Sequence, residues 1–143
     1  MSEGLSYWLV KSEPEAWSWD QMVACGDEGT GWTGVRNHLA KQQMMAMKLG
    51  ERAFFYHSNV GKEIVGIVEV IKEAYPDHTD KSGVFVMVDV KAVAPLPKPV
   101  SLQTLKADPR FADMALIKYS RLSVQPVTET EWRLICEMGG AKP

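Results

Sequence analysis

The chain has little cysteine, little net charge and no long apolar run, and each shortage argues against a class of protein. Its 143 residues hold two cysteines, Cys25 and Cys136, far apart and in no CxxC or metal-ligand spacing. A disulfide framework is therefore not expected, and reduced, buried thiols in an intracellular, cytoplasmic protein are. No stretch approaches the roughly 18 consecutive apolar residues of a membrane span. The opening MSEGLSYWLV is acidic and runs directly into strand-like sequence, unlike the basic-then-apolar pattern of a secretory signal. Sixteen Lys and Arg against 18 Asp and Glu give a net charge of −2. Proteins that grip a duplex chiefly through its phosphates are basic, so bulk electrostatic attachment is disfavoured. Local recognition is not.

Several catalytic signatures are missing as well. There is no GxxxxGK[ST] and no GxGxxG, so neither nucleotide hydrolysis nor a dinucleotide cofactor is expected. His38, His57 and His78 show no HxxxH or HxH spacing, and no metal site is expected. His57 and Ser58, with Asp77 or Asp80, supply the side-chain types of a hydrolase triad. Yet no GxSxG surrounds the serine, and neighbours on a strand point to opposite faces. The chain does not read as an enzyme.

What is present reads as one domain over residues 1–143, with no repeats, low-complexity tracts or linkers. YWLVKS (7–12) is strand-like and ends in a turn at Glu13-Pro14. Ser18 and Gln21 have capping-box spacing, predicting a short helix that buries Trp19, Met22 and Val23. Residues 26–34 hold four glycines and read as an ordered loop. A helix is predicted from about Asn37 to Lys48, with Ala40, Met44 and Met47 on one face and Gly50 as its stop. Three strands follow, at 51–58, 63–73 and 83–93. APLPKPV reads as a break in regular structure and SLQTLKAD as helical. RLSVQPV (121–127) reads as a last strand, and Thr128 with Glu131 caps a final helix carrying Trp132, Ile135 and Cys136. Short connections between the middle strands predict an antiparallel meander. Strands apolar on both faces suggest a sheet curled into a barrel and wrapped by helices, an α+β fold.

The aromatic residues carry more information. Trp19 and Trp132 fall on helix faces and read as core. Trp32 lies between glycines, where packing rarely asks for so large a ring, and Trp8 lies beside Lys11-Ser12 near a turn. Both are candidates for a pocket wall, with core packing as the alternative. Val35-Arg36-Asn37 enters a helix whose N-terminal amides carry about half a positive charge. Arg36 and Asn37 there would suit an anion or a hydrogen-bonding ring edge. Alternatively, Arg36 pairs with a core carboxylate and Asn37 merely caps.

WLVKSEP (8–14), WTGVRNHLAKQQMMAMKLGE (32–51), FFYHS (54–58), VGIVEV (65–70), AYPD (74–77) and RLSV (121–124) together resemble the EVE domain, a PUA-like family related to the YTH readers of methylated RNA. The likeness runs in order from about Tyr7 to Trp132, and the lack of an N-terminal extension fits the family's bacterial single-domain form. The resemblance implies a small, mostly antiparallel β-barrel flanked by helices, with a pocket for a modified base. Carried over by position, it implies that Trp8, Lys11 and Ser12 from the first strand and Trp32, Val35, Arg36 and Asn37 from the glycine-rich loop bind ligand. Tyr56, His57 and Ser58 join them from the aromatic strand, Pro76 and Asp77 from a turn, and Arg121 and Ser123 from the last strand. Thr33 departs from the family, many of whose members carry an Asp there, which bears on base preference. The expected function is non-catalytic recognition of a modified base in DNA or RNA, with no cofactor and no membrane. A sensor of a small molecule or nucleotide using the same pocket is the alternative, and an enzyme acting on a base or nucleoside a third reading.

Overall fold

The computed structural model describes residues 5–58 and 61–143; the acidic start of the chain, residues 1–4, lies outside them. In chain order the elements are β1 (Tyr7–Ser12), α1 (Trp19–Ala24), β2 (Thr30–Gly31), α2 (His38–Ala46), β3 (Arg52–His57), β4 (Glu63–Pro76) and β5 (Val86–Ser101). Then come α3 (Leu102–Lys106), α4 (Ala115–Lys118), β6 (Val124–Val127) and α5 (Glu129–Gly139). Short 3-10 turns occupy Gly26–Glu28 and Pro109–Phe111.

Both capping boxes form. Ser18 and Gln21 close the start of α1, and Thr128 and Glu131 close that of α5. Asn37 caps α2 by accepting the Ala40 amide. Ala40, Met44 and Met47 are buried as their spacing requires, whereas Val23, expected inside, is 50% exposed. Its helix is only one and a half turns long and buries a single residue, Met22. Cys136 is buried and Cys25 partly so, and both are free thiols.

The six strands form one sheet in the order β2-β5-β4-β3-β1-β6. β3, β4 and β5 make the expected antiparallel meander. β1 instead runs parallel to β3, with Trp8 beside Ala53 and Ser12 beside His57. The intervening α1, β2 and α2 supply the crossover that a parallel pair demands.

The expected barrel is not what forms. The sheet is open, with β2 and β6 as its edges. The strands are apolar on both faces for another reason: a core lies on each side. Trp8, Val10, Ala53, Phe55, Val68 and Val70 pack with Met22, Ala40 and Met44 from α1 and α2. Leu9, Phe54, Tyr56, Ile64 and Ile67 pack on the opposite side with Leu105, Leu116, Trp132 and Ile135 from α3, α4 and α5. Alternate residues of each strand therefore enter different cores.

The proline-rich segment also differs from expectation. β5 continues through APLPKPV to Ser101, with Val100 opposite Ile64 and Pro95 opposite Gly66. The register slips between those pairs, and such a bulge is where a strand tolerates residues that cannot donate to the ladder.

Candidate functional site

The glycine-rich loop is shaped by close approach to β5. Gly29 has φ +63°, and a methyl group on it would stand 2.1 Å from the Val90 carbonyl oxygen. On Gly31 it would stand 2.0 Å from the Met87 methyl. With no side chains there, β2 lies flat along the edge, and the Trp32 amide donates to Val88 O at 2.7 Å. The Trp32 ring meets Phe55 edge-on, with centroids 5.6 Å apart.

Trp32 is only 7% exposed, yet it borders a cleft of about 400 Å³. Lys11, Ser12, Glu13, Ala16 and Trp17 line one side, and Thr30, Gly31, Trp32 and Thr33 the other. The two sides come from distant sequence: the turn after β1, and the glycine-rich loop held on β5. Trp17 sits just before the Ser18 cap, outside the helix, and its buried indole N–H has no hydrogen-bond partner among the described residues. Its carbonyl accepts the Ser12 hydroxyl at 2.5 Å. Behind it, the Trp19 ring lies against β4 at Gly66, where a methyl group would stand 2.4 Å from the indole.

The polar groups near the cleft are largely committed. Ser12 spends its one O–H on Trp17. Lys11 Nζ donates to Ser120 O at 2.7 Å, and burial pushes its pKa down to about 8. This leaves two indoles, the Thr30 and Thr33 side chains, the Glu13 carboxylate and local backbone to meet a ligand. An anion finds little here. The lining mixes indole and polar groups in similar measure, which suits an uncharged ring with hydrogen-bonding edges.

The remaining residues singled out by sequence lie at varying distances from this cleft. Trp8 is 5% exposed and in the same core as Trp32, but its indole N–H donates to Glu51 at 2.8 Å and it does not line the cleft. Val35 is buried in that core. Arg36 pairs with the buried Asp77 at 3.0 Å and also donates to Thr79 Oγ1, while Asn37 caps α2. The second of the two readings of this helix entry is thus the one the geometry shows. Burial opposes the charge on Asp77. Hydrogen bonds from the Thr79 hydroxyl, the Gly34 and Thr79 amides and Arg36 outweigh it, holding the carboxyl well below the usual range. Pro76 ends β4 just before that carboxylate. Asp77 therefore fastens the loop that carries Trp32.

Tyr56 belongs to the opposite core, with Lys11 Nζ 6.0 Å from its ring centroid, and burial raises its phenol pKa. His57 accepts the Trp19 amide through Nε2 at 3.2 Å, and the Ser58 amide donates to Ser12 O. Neither forms a base–nucleophile pair in the described hydrogen bonds. Ser123 O accepts the Lys11 amide. Arg121 is exposed and lines a separate depression with Asn37 and Tyr119. Of the fourteen residues, Lys11, Ser12 and Trp32 reach the cleft. Trp17 was not among them. Its signal was position, since a tryptophan immediately before a cap residue lies outside the helix face that would explain it.

Among the described residues no group of three or more His, Cys, Asp or Glu is placed to hold a metal ion, and no helix is long and apolar enough to cross a membrane.

Comparison with known proteins places these features in a family. The sequence model of the EVE domain matches residues 6–138. Thymocyte nuclear protein 1 of Gallus gallus is 36% identical, over 96% of this chain and 70% of that protein. An NMR structure from Rhodopseudomonas palustris is 68% identical with a TM-score of 0.90, covering 95% of this chain and 94% of that one. A crystal structure of the human THYN1 protein in complex with 5-methylcytosine-containing DNA is 34% identical with a TM-score of 0.88, covering 96% and 99%. At the level of fold alone, a YTH domain from Zygosaccharomyces rouxii aligns with a TM-score of 0.60 at 16% identity.

Proposed function

Because the chain belongs to the EVE domain family, we propose that it is a non-catalytic module that takes one modified base of DNA or RNA into the cleft between Trp17 and Trp32. The observation that carries this reading is the lining itself. Two indoles border a space of about 400 Å³, near the lower end of the roughly 300–1,000 Å³ typical of ligand pockets. The one cation on its edge is occupied with Ser120 O. Such a site favours a ring over a phosphate, which supports a base in a strand over a free nucleotide held by its charge. The complex of the human relative with 5-methylcytosine-containing DNA supports the same class of ligand.

In this reading Trp17 and Trp32 contact the base, and Thr30, Thr33 and the Glu13 carboxylate read its edge. Arg36, Asn37, Pro76 and Asp77 hold the Trp32 loop. A base in a duplex must be extruded to enter, at a cost of a few kcal/mol that is least where pairing is already weak. The test is a binding screen of single- and double-stranded oligonucleotides bearing modified and unmodified bases. Preference for one modified oligonucleotide is expected. Equal binding of the free modified nucleotide would favour a small-molecule sensor, and turnover of a base or nucleoside would overturn the non-catalytic assignment.

A further inference from the structure

His57 is a residue expected at the site that the cleft itself does not use. On β3 it stands opposite Ser12 of β1 and Glu63 of β4. Its Nε2 accepts the backbone N–H of Trp19, the first residue of α1, at 3.2 Å. A ring nitrogen can accept only when it carries no proton, so this ring is neutral and protonated at Nδ1. Next to it, the Ser12 hydroxyl donates to the Trp17 carbonyl at 2.5 Å. The segment bearing Trp17 is thus tied at the Trp17 carbonyl, and again two residues later at the start of α1, to two facing positions of the sheet.

We propose that His57 is a positioning residue: its neutral ring holds the start of α1 and with it the Trp17 wall of the cleft, and protonation at Nε2 releases that wall. The proton comes from solvent and occupies the lone pair that receives the Trp19 N–H. An acceptor then becomes a donor facing a donor, and the tie is lost. The charged groups facing the ring are Glu63 from β4 and Asp20 from α1, while β1 presents the uncharged Ser12. Burial lowers the His57 pKa, and the opposing pull of Glu63 and Asp20 is smaller. The tie is therefore complete above the ordinary histidine range and lost as pH falls through the lower folded value. The consequence for base uptake rests on the function proposed above; the release of Trp17 does not.

The test begins with the ligand-free protein. NMR would follow the His57 ring and the Trp17 indole N–H between about pH 8 and about pH 5. The Trp17 signal is expected to move with the His57 midpoint. In His57→Gln, whose amide oxygen can accept the same N–H at any pH, it should stay near its neutral-pH position. His57→Ala should begin displaced. Wild-type affinity for the best oligonucleotide should fall about fivefold or more over this range, and that of His57→Gln less than about twofold. A Trp17 signal that stays fixed while His57 titrates, or that moves equally in His57→Gln, overturns the proposal. If no oligonucleotide binds, the base-binding reading fails while the Trp17 titration still decides this one.

Discussion

Trp8 and Trp32 share one core, but their side chains answer to different neighbours. Trp8 donates to Glu51, which also accepts the Ser6 and Lys48 amides, so Trp8 ties β1 to the turn before β3. Trp8→Phe removes that donor and is expected to cost about 1–3 kcal/mol of stability with little change in affinity, as measured by chemical denaturation alongside a binding titration. Asp77 answers to four donors. Its folded pKa lies below the unfolded value of about 3.9, so its stabilising contribution is present above that value and lost as pH falls through the folded one. Asp77→Ala takes the acceptor away from the part-buried Gly34 and Thr79 amides and frees the loop, at an expected cost of about 1–3 kcal/mol. Arg36→Ala, which removes a side chain that is 40% exposed, should cost no more than about 1 kcal/mol. Denaturation curves for the two variants should also differ in shape with pH, the acid-side loss flattening in Asp77→Ala.

Among the elements, α1 is the one that couples fold to site. It buries Met22 and seats Trp19 against Gly66. Gly66→Ala is expected to displace that ring, costing about 1–3 kcal/mol and shifting the Trp17 wall, so both melting temperature and affinity should fall. Elements with a local signature were legible in the sequence. The capping boxes at Ser18 and Thr128, the Asn37 cap and the strand-like runs of β1 and β3 each rest on neighbours a few residues away. What could not be read depends on distant partners. The parallel β1–β3 pair, the run of β5 through three prolines and the second core are set by which element covers which face. A strand apolar on both sides is the same sequence whether a barrel or two helical layers surrounds it. The short α4 and the turn at Pro109–Phe111 have too few residues to show a period. At the site, Trp32 was legible because its glycine neighbours deny it a helix or strand to pack from. Trp17 was hidden by its nearness to Trp19, and the Arg36–Asp77 pair by a separation only the fold closes.

For the whole molecule, a net charge of −2 and a cleft without an uncommitted cation predict binding that depends on the base more than on the strand. The slope of log affinity against log salt should be shallow, equivalent to about one to three phosphate contacts; a slope near the six to ten contacts of groove-gripping proteins would point to a surface other than this cleft. The central claim, that Trp17 and Trp32 hold the base, is tested most directly by titrating the preferred modified oligonucleotide against wild type, Trp17→Ala, Trp32→Ala and Trp8→Phe by calorimetry. Stacking is worth about 1–3 kcal/mol per base, so each of the two cleft variants should bind about fivefold to more than a hundredfold more weakly, with Trp8→Phe close to wild type. Affinity undiminished in folded Trp17→Ala and Trp32→Ala, or lost only in Trp8→Phe, would contradict it.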